Sequence, residues 1–167
     1  MKNILTAFLF FSLSTVFAQN EVHKSYVLYT YHIAKYVDWE NQGDIFKVVV
    51  LGSSPVTTMM AMSYKNKKLK NSVIQVYQVN SLEEIDNCHI LFLPKGQKQY
   101  LEDVKKKFSA KPVLLITEFE NAAKQGASIN FVIDQDNAVK FELNRKVIKQ
   151  SGLKLNNSIL ALAILIN

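Results

Sequence analysis

At 167 residues, with one cysteine, three prolines and 49% hydrophobic residues, the chain suits one folded domain and excludes both a disordered segment and a disulfide-stapled miniprotein. Its formal charge is +6, yet the basic clusters Lys65 to Lys70 and Lys105 to Lys107 carry no interleaved aromatics, which argues against a nucleic-acid partner.

The chain begins Met1-Lys2-Asn3, followed by an apolar run from Ile4 to Phe17, with Val16 and Ala18 at the −3 and −1 positions ahead of Gln19. A basic start, an apolar segment too short to span a bilayer and small residues at its end predict a cleavable signal peptide over 1–18. A membrane anchor is the competing reading. One domain then covers 19–167, and export takes it away from cytosolic nucleic acid.

Residues 21–38 read as a first helix: Val22, Tyr26, Tyr29, Ile33 and Tyr36 recur at helical spacing, with Val27, Tyr31 and Ala34 beside them. The remaining stripe, Leu28, His32, Lys35 and Trp39, is its least apolar side and a candidate partner-binding edge. Trp39 is either an exposed aromatic anchor of the kind found at binding hot spots or is buried under the loop before Phe46. The continuous β-branched run Phe46 to Leu51 predicts a strand buried on both faces. Gly52-Ser53-Ser54-Pro55 turns the chain into a short helix over 56–62. Val73 to Val79 alternates as a strand, and Ser81 to Glu84 is a capping box opening a brief helical turn.

His89 to Leu93 is a third strand, Gln97 to Phe108 a helix whose terminal lysines complement its dipole, and Val113 to Thr117 a fourth strand. A short helix is expected over 119–125, with Gly126 as its left-handed cap. Ser128 to Ile133 and Ala138 to Leu143 alternate strictly and predict an antiparallel hairpin. Only a loop of odd length, three or five residues, sets apolar against apolar; Asn130 and Glu142 then share the other face. Asn144 is placed to cap a helix ending near Gly152. The apolar tail Ile159 to Ile166 is expected to be buried if helical, and is too short to cross a membrane. The pattern predicts a single α/β domain of two or three layers: a mixed β-sheet flanked by helices, with a C-terminal antiparallel hairpin and closing helix.

Chemistry-bearing motifs are sparse: there is no Gly-rich phosphate loop, GxSxG, HExxH or spaced cysteine pair. Cys88 and His89 are adjacent, and neighbours in a strand point to opposite faces, so they do not grip one ion. Cys88 is read as a small buried group, the alternative being a disulfide across a dimer. Asn130, Glu142 and Asn144 form a possible ligand or structural polar site, with no acid, base or nucleophile beside them. No catalytic residue, metal or cofactor is assigned.

Four segments in order resemble the YfiR family. Tyr31-His32-Ile33-Ala34-Lys35-Tyr36-Val37-Asp38-Trp39 is similar to its aromatic N-terminal helix, and Val48 to Pro55 to its first strand and turn. Cys88-His89-Ile90-Leu91-Phe92 is similar to its C-H-I-L-F segment. Ile129-Asn130-Phe131-Val132, Val139 to Asn144 and Ser151 to Leu155 are similar to its tail. Glu40 stands where the family usually has proline, and relatives with further cysteines have disulfides this chain lacks. The resemblance implies a periplasmic regulator, a homodimer, that acts by contact on a membrane sensor, either a diguanylate cyclase of cyclic-di-GMP signalling or a histidine kinase. It also implies possible sequestration by an outer-membrane lipoprotein. The alternative is a periplasmic small-molecule-binding sensory module with no cyclase partner, its pocket near Asn130 and Glu142.

Overall fold

The β-branched apolar runs become the middle of one sheet. A computed structural model of the chain describes residues 2–40 and 43–166, with side chains from Gln19 onward, so the leader expected over 1–18 lies outside the residues whose side chains are described. In chain order the elements are α1 (Lys2–Lys35), β1 (Val37–Asp38), β2 (Ile45–Leu51), α2 (Pro55–Tyr64), β3 (Lys68–Leu69), β4 (Ser72–Val79), β5 (Ile90–Leu93), α3 (Leu101–Lys107), β6 (Leu114–Thr117), β7 (Ile129–Ile133), β8 (Val139–Asn144), α4 (Arg145–Gln150), β9 (Lys154–Leu155) and β10 (Ile164–Ile166). Single 3-10 stretches at Lys95–Tyr100 and Asn157–Leu162 lead towards α3 and β10.

Eight strands pair in the order β10-β8-β7-β6-β5-β2-β4-β3. From β4 through β7 all neighbours are parallel, while β3 runs antiparallel to β4, β8 runs antiparallel to β7, and β10 lies parallel to β8. Every residue of β5 and β6 is buried, as central parallel strands covered on both faces require. On one face Phe46, Val48, Val50, Ile90, Phe92, Ile116, Phe131 and Leu143 pack under α1 and α2. On the other, Val49, Leu51, Leu91, Leu93 and Leu115 pack against Leu101, Val104 and Phe108 of α3 and against Phe119 and Ala122. The domain is therefore a three-layer α/β sandwich.

The hairpin has the register that face-matching demands: Phe131 lies opposite Phe141 and Asn130 opposite Glu142 across the five-residue connection between Ile133 and Val139. Tyr26 of α1 stacks on Phe131 at 4.8 Å and 6° between ring planes, which fixes the helix on the hairpin. Ser54 caps α2 by accepting from the Val56 amide, with Pro55 in the first turn, and Asn144 caps α4 by accepting from the Val147 amide at 3.0 Å.

Four local expectations differ from what forms. The helix expected over 119–125 is a chain of turns, because Asn121 sits in the left-handed region at φ 60° and interrupts any helical run; Gly126 does take the expected positive φ, 112°. At Ser81 only half the capping box forms, Glu84 Oε1 accepting from the Ser81 amide, and the chain makes a turn rather than a helix. The first helix stops at Lys35, and Val37-Asp38 pairs with Lys154-Leu155 instead. The apolar tail is not helical throughout and is buried only at Ile159: it ends as the edge strand β10, with Ile164 and Leu165 exposed.

Phe131→Ala removes both the stacked ring and a cross-strand partner from a fully packed site, and should cost about 3–5 kcal/mol in chemical denaturation, whereas half-exposed Ile133→Ala in the same strand should stay within about 1 kcal/mol.

Candidate functional site

The helical spacing of α1 divides it cleanly. Tyr26, Val27, Thr30, Ile33 and Ala34 are buried against the sheet, and Leu28, His32 and Lys35 are exposed on the opposite stripe. Trp39 does not belong with them. It is buried at 5% exposure, its indole Nε1 donates to the Ala34 carbonyl at 2.8 Å, and its ring meets Phe46 edge-on at 5.0 Å. An indole whose polar atom is satisfied and whose faces are packed is a core residue, so the exposed-anchor reading of Trp39 is corrected and the edge ends at Lys35.

A feature of α2 extends that edge in its place. Between α1 and α2 runs a groove of 340 Å³ lined by Val27, Leu28, Tyr31, Met59, Met62 and Tyr64, with Lys24 and Lys67 at its rim. Leu28 is 54% exposed and Met62 74%, so the two apolar lips stand open to solvent. Tyr31 anchors the rim: the Lys35 and Lys67 ammonium groups lie 4.3 and 4.9 Å from its ring centroid. Met62 gave no signal in the sequence, because its exposure depends on how α2 is rotated against α1.

The three polar residues of the hairpin share the sheet's second face but play separate parts. Asn130 is fully buried; its Oδ1 accepts from the Thr117 hydroxyl at 2.8 Å and the Phe119 amide at 3.2 Å, and its Nδ2 donates to Glu142 at 2.9 Å. These bonds tie β6, β7 and β8 together and occupy the carboxamide from both ends. Asn144 instead accepts from the Val147 amide and donates from Nδ2 to the Ala123 carbonyl at 2.8 Å. Asn130 and Glu142 thus meet directly, and Asn144 serves other segments.

His89 and Cys88 point to opposite sides. The His89 Nδ1 accepts from the Lys47 amide at 2.9 Å and its ring stacks on Phe46 at 4.5 Å, so Nδ1 carries no proton. Cys88 is buried in the other layer, and burial pushes its thiol up to about 12. Among the described residues no group of three or more His, Cys, Asp or Glu side chains is placed to hold a metal ion, and no helix is long and apolar enough to cross a membrane.

In open parallel sheets ligands commonly enter at the carboxyl ends of the strands, where chain connections diverge. Here that point lies between the turns after β2 and β5. Gly52 has φ 77°, and the Gln97 side chain lies directly against its bare backbone, where a Cβ would overlap it. Gln97 thereby lies over the turn after β2. Along the same rim Glu118 accepts from the Lys95 amide at 3.2 Å; burial pushes its carboxyl up, against the opposing pull of that bond and of the Lys95 charge. Burial and the Glu118 charge together raise the Tyr26 phenol to about 12.

A family model described as YfiR/HmsC-like matches residues 23–164. No curated protein matches the chain. Among solved structures, the ABC domain in complex with L-Trp from Streptococcus pneumonia is similar over 73% of this chain at 15% identity and a TM-score of 0.49; the chain spans 56% of that protein.

Asn130→Ala strands the Phe119 amide and removes the partner of Glu142, while the Thr117 hydroxyl keeps the Ile129 carbonyl at 3.2 Å, and should lower unfolding free energy by about 1–3 kcal/mol in urea titration. Glu118 holds its proton more tightly in the folded chain than its ordinary 4.5 allows, so stability falls as pH rises from 4.5 through the raised folded value. Glu118→Gln keeps the acceptor for the Lys95 amide and removes that fall: the variant should melt higher than the parent at neutral pH, with the gap closing in acid.

Proposed function

The chain belongs to the YfiR/HmsC-like family, and on that premise we propose that it is a periplasmic signalling regulator, exported by the leader at 1–18, which binds the periplasmic region of a membrane sensor and alters its activity by contact. The sensor is a diguanylate cyclase or a histidine kinase. Regulation follows from differential binding: the chain prefers one state of the sensor, and its capture or release shifts the population.

The observation that carries the reading at residue level is the open groove between α1 and α2. An apolar slot with two solvent-exposed lips, a rim of Lys67 and of Lys24 paired to Glu21, and Lys35 over the Tyr31 ring suits an apolar side chain presented beside a carboxylate. The exposed stripe Leu28, His32 and Lys35 forms one bank of that surface and Met62 the other. The edge strand β10, where Ile164 and Leu165 are exposed, is the surface on which a second copy of the chain would pair. The internal bonding of Asn130 and Glu142 speaks for a structural role there rather than a ligand site.

Replacing Leu28, His32 and Lys35 together by Glu should weaken binding to the periplasmic region of the sensor by about tenfold or more, read by surface plasmon resonance. The same variant should stay folded and lose no more than about 2 kcal/mol of stability, because none of the three side chains is buried and the loss is limited to the Lys35–Tyr31 contact and the charge at the end of α1. Unchanged binding by a folded variant removes this surface from the reading, and an unfolded variant shows the stripe to be structural.

A further inference from the structure

On the sheet face away from α1 and α2, a cleft of 470 Å³ opens at the amino ends of β6 and β7, within the size range of small-molecule sites. It exists because α3 covers only the centre of that face. Val104, Phe108, Val113 and Leu115 form the apolar part of its lining, with buried Ser128 and Asn144 beside them, and three lysines line it: Lys105, Lys124 and Lys146. No Asp or Glu lines it. Lys105 pairs with Glu102 at 2.7 Å, its stem lying across Gly126, while neither Lys124 nor Lys146 has a carboxylate partner among the described residues.

The two backbone segments that carry the lysines without a carboxylate partner are joined by one side chain. Asn144 donates to the Ala123 carbonyl, one residue before Lys124, and accepts from the Val147 amide, one residue after Lys146. Asn144 is itself buried at 8% exposure and lines the cleft. A single carboxamide therefore sets the relation between the lysine-bearing turn and the lysine-bearing helix. Like charges gathered over an apolar floor repel one another and are relieved by a bound anion, more strongly as the ligand displaces water.

We propose that this cleft binds a small organic anion, one acidic group on an apolar body, with the acid between Lys124 and Lys146 and the body on Phe108 and Leu115. The site is independent of the partner-binding groove, which lies across the sheet, so either stands if the other fails.

The test is calorimetric titration of the full chain with decanoate and, separately, with decanol, which has the same apolar body and no charge. Decanoate should bind at one site, decanol about tenfold more weakly, and Lys124→Gln/Lys146→Gln should reduce decanoate affinity by about tenfold or more. Lys124→Arg/Lys146→Arg should keep it, and Lys68→Gln, on the far edge of the sheet, should leave it unchanged. The inference is overturned by no binding of decanoate, by decanol binding as well as decanoate, or by a folded Gln double variant that binds like the parent. It is equally overturned if decanoate fails while phosphatidylglycerol vesicles sediment the parent and not the Gln double variant, which would assign these lysines to a membrane surface.

Discussion

Everything in this domain follows from the need to cover both faces of β2, β5 and β6. From Val48 to Leu51 in β2, through β5 and along Leu114 to Ile116 in β6, side chains are apolar in both directions, and the chain supplies α1 with α2 on one side and α3 with the 119–127 turns on the other. The two covers are unequal. The α1 helix is long enough to lie over the hairpin as well, reaching Phe131 and Phe141 through Tyr26 and Tyr29. The α3 helix runs only from Leu101 to Lys107 and leaves the β7–β8 part of its face without a helix.

Where cover is missing, the sequence changes chemistry. On that face β7 and β8 present Asn130, Glu142 and Asn144 beside Val132 and Lys140, and each of the first three is committed to a hydrogen bond within the protein or to a cap. A buried polar group with its partners in place stabilises modestly, while the same group stripped of one partner costs far more, so this row specifies the strand order as firmly as the aromatics opposite. Asn130 joins three strands through one side chain, and Asn144 joins a turn to a helix.

Much of this was legible from residue order. The hairpin register was, because strict alternation leaves only odd loops that match apolar faces, and the five-residue loop obeys that rule. The α4 cap was, because Asn at that position has a local mechanism that needs no tertiary context. Elements ruled by long-range context were not. The 119–125 segment has helical composition, but Asn121 at φ 60° belongs to a chain of turns packed on the sheet. The tail reads as buried because it is apolar, yet an edge strand at Ile164–Ile166 leaves it half in solvent. The position of Trp39 turned on where α1 ends, a boundary decided by the pairing of Val37 and Asp38 with a strand more than a hundred residues later. The exposed edge of α1 was legible as a stripe, but its continuation through Met62 was not, because no local pattern records the rotation of one helix against another.

The contact between Gln97 and Gly52 has a wider meaning for how such a fold diversifies. A parallel sheet ordinarily recruits small molecules at its carboxyl rim, and in this chain one flexible amide side chain lies there against a residue with no side chain of its own. Position 97 can change length without disturbing a strand, so the surface of this rim is set by loop residues alone, independently of the lysine-lined cleft at the opposite ends of the strands.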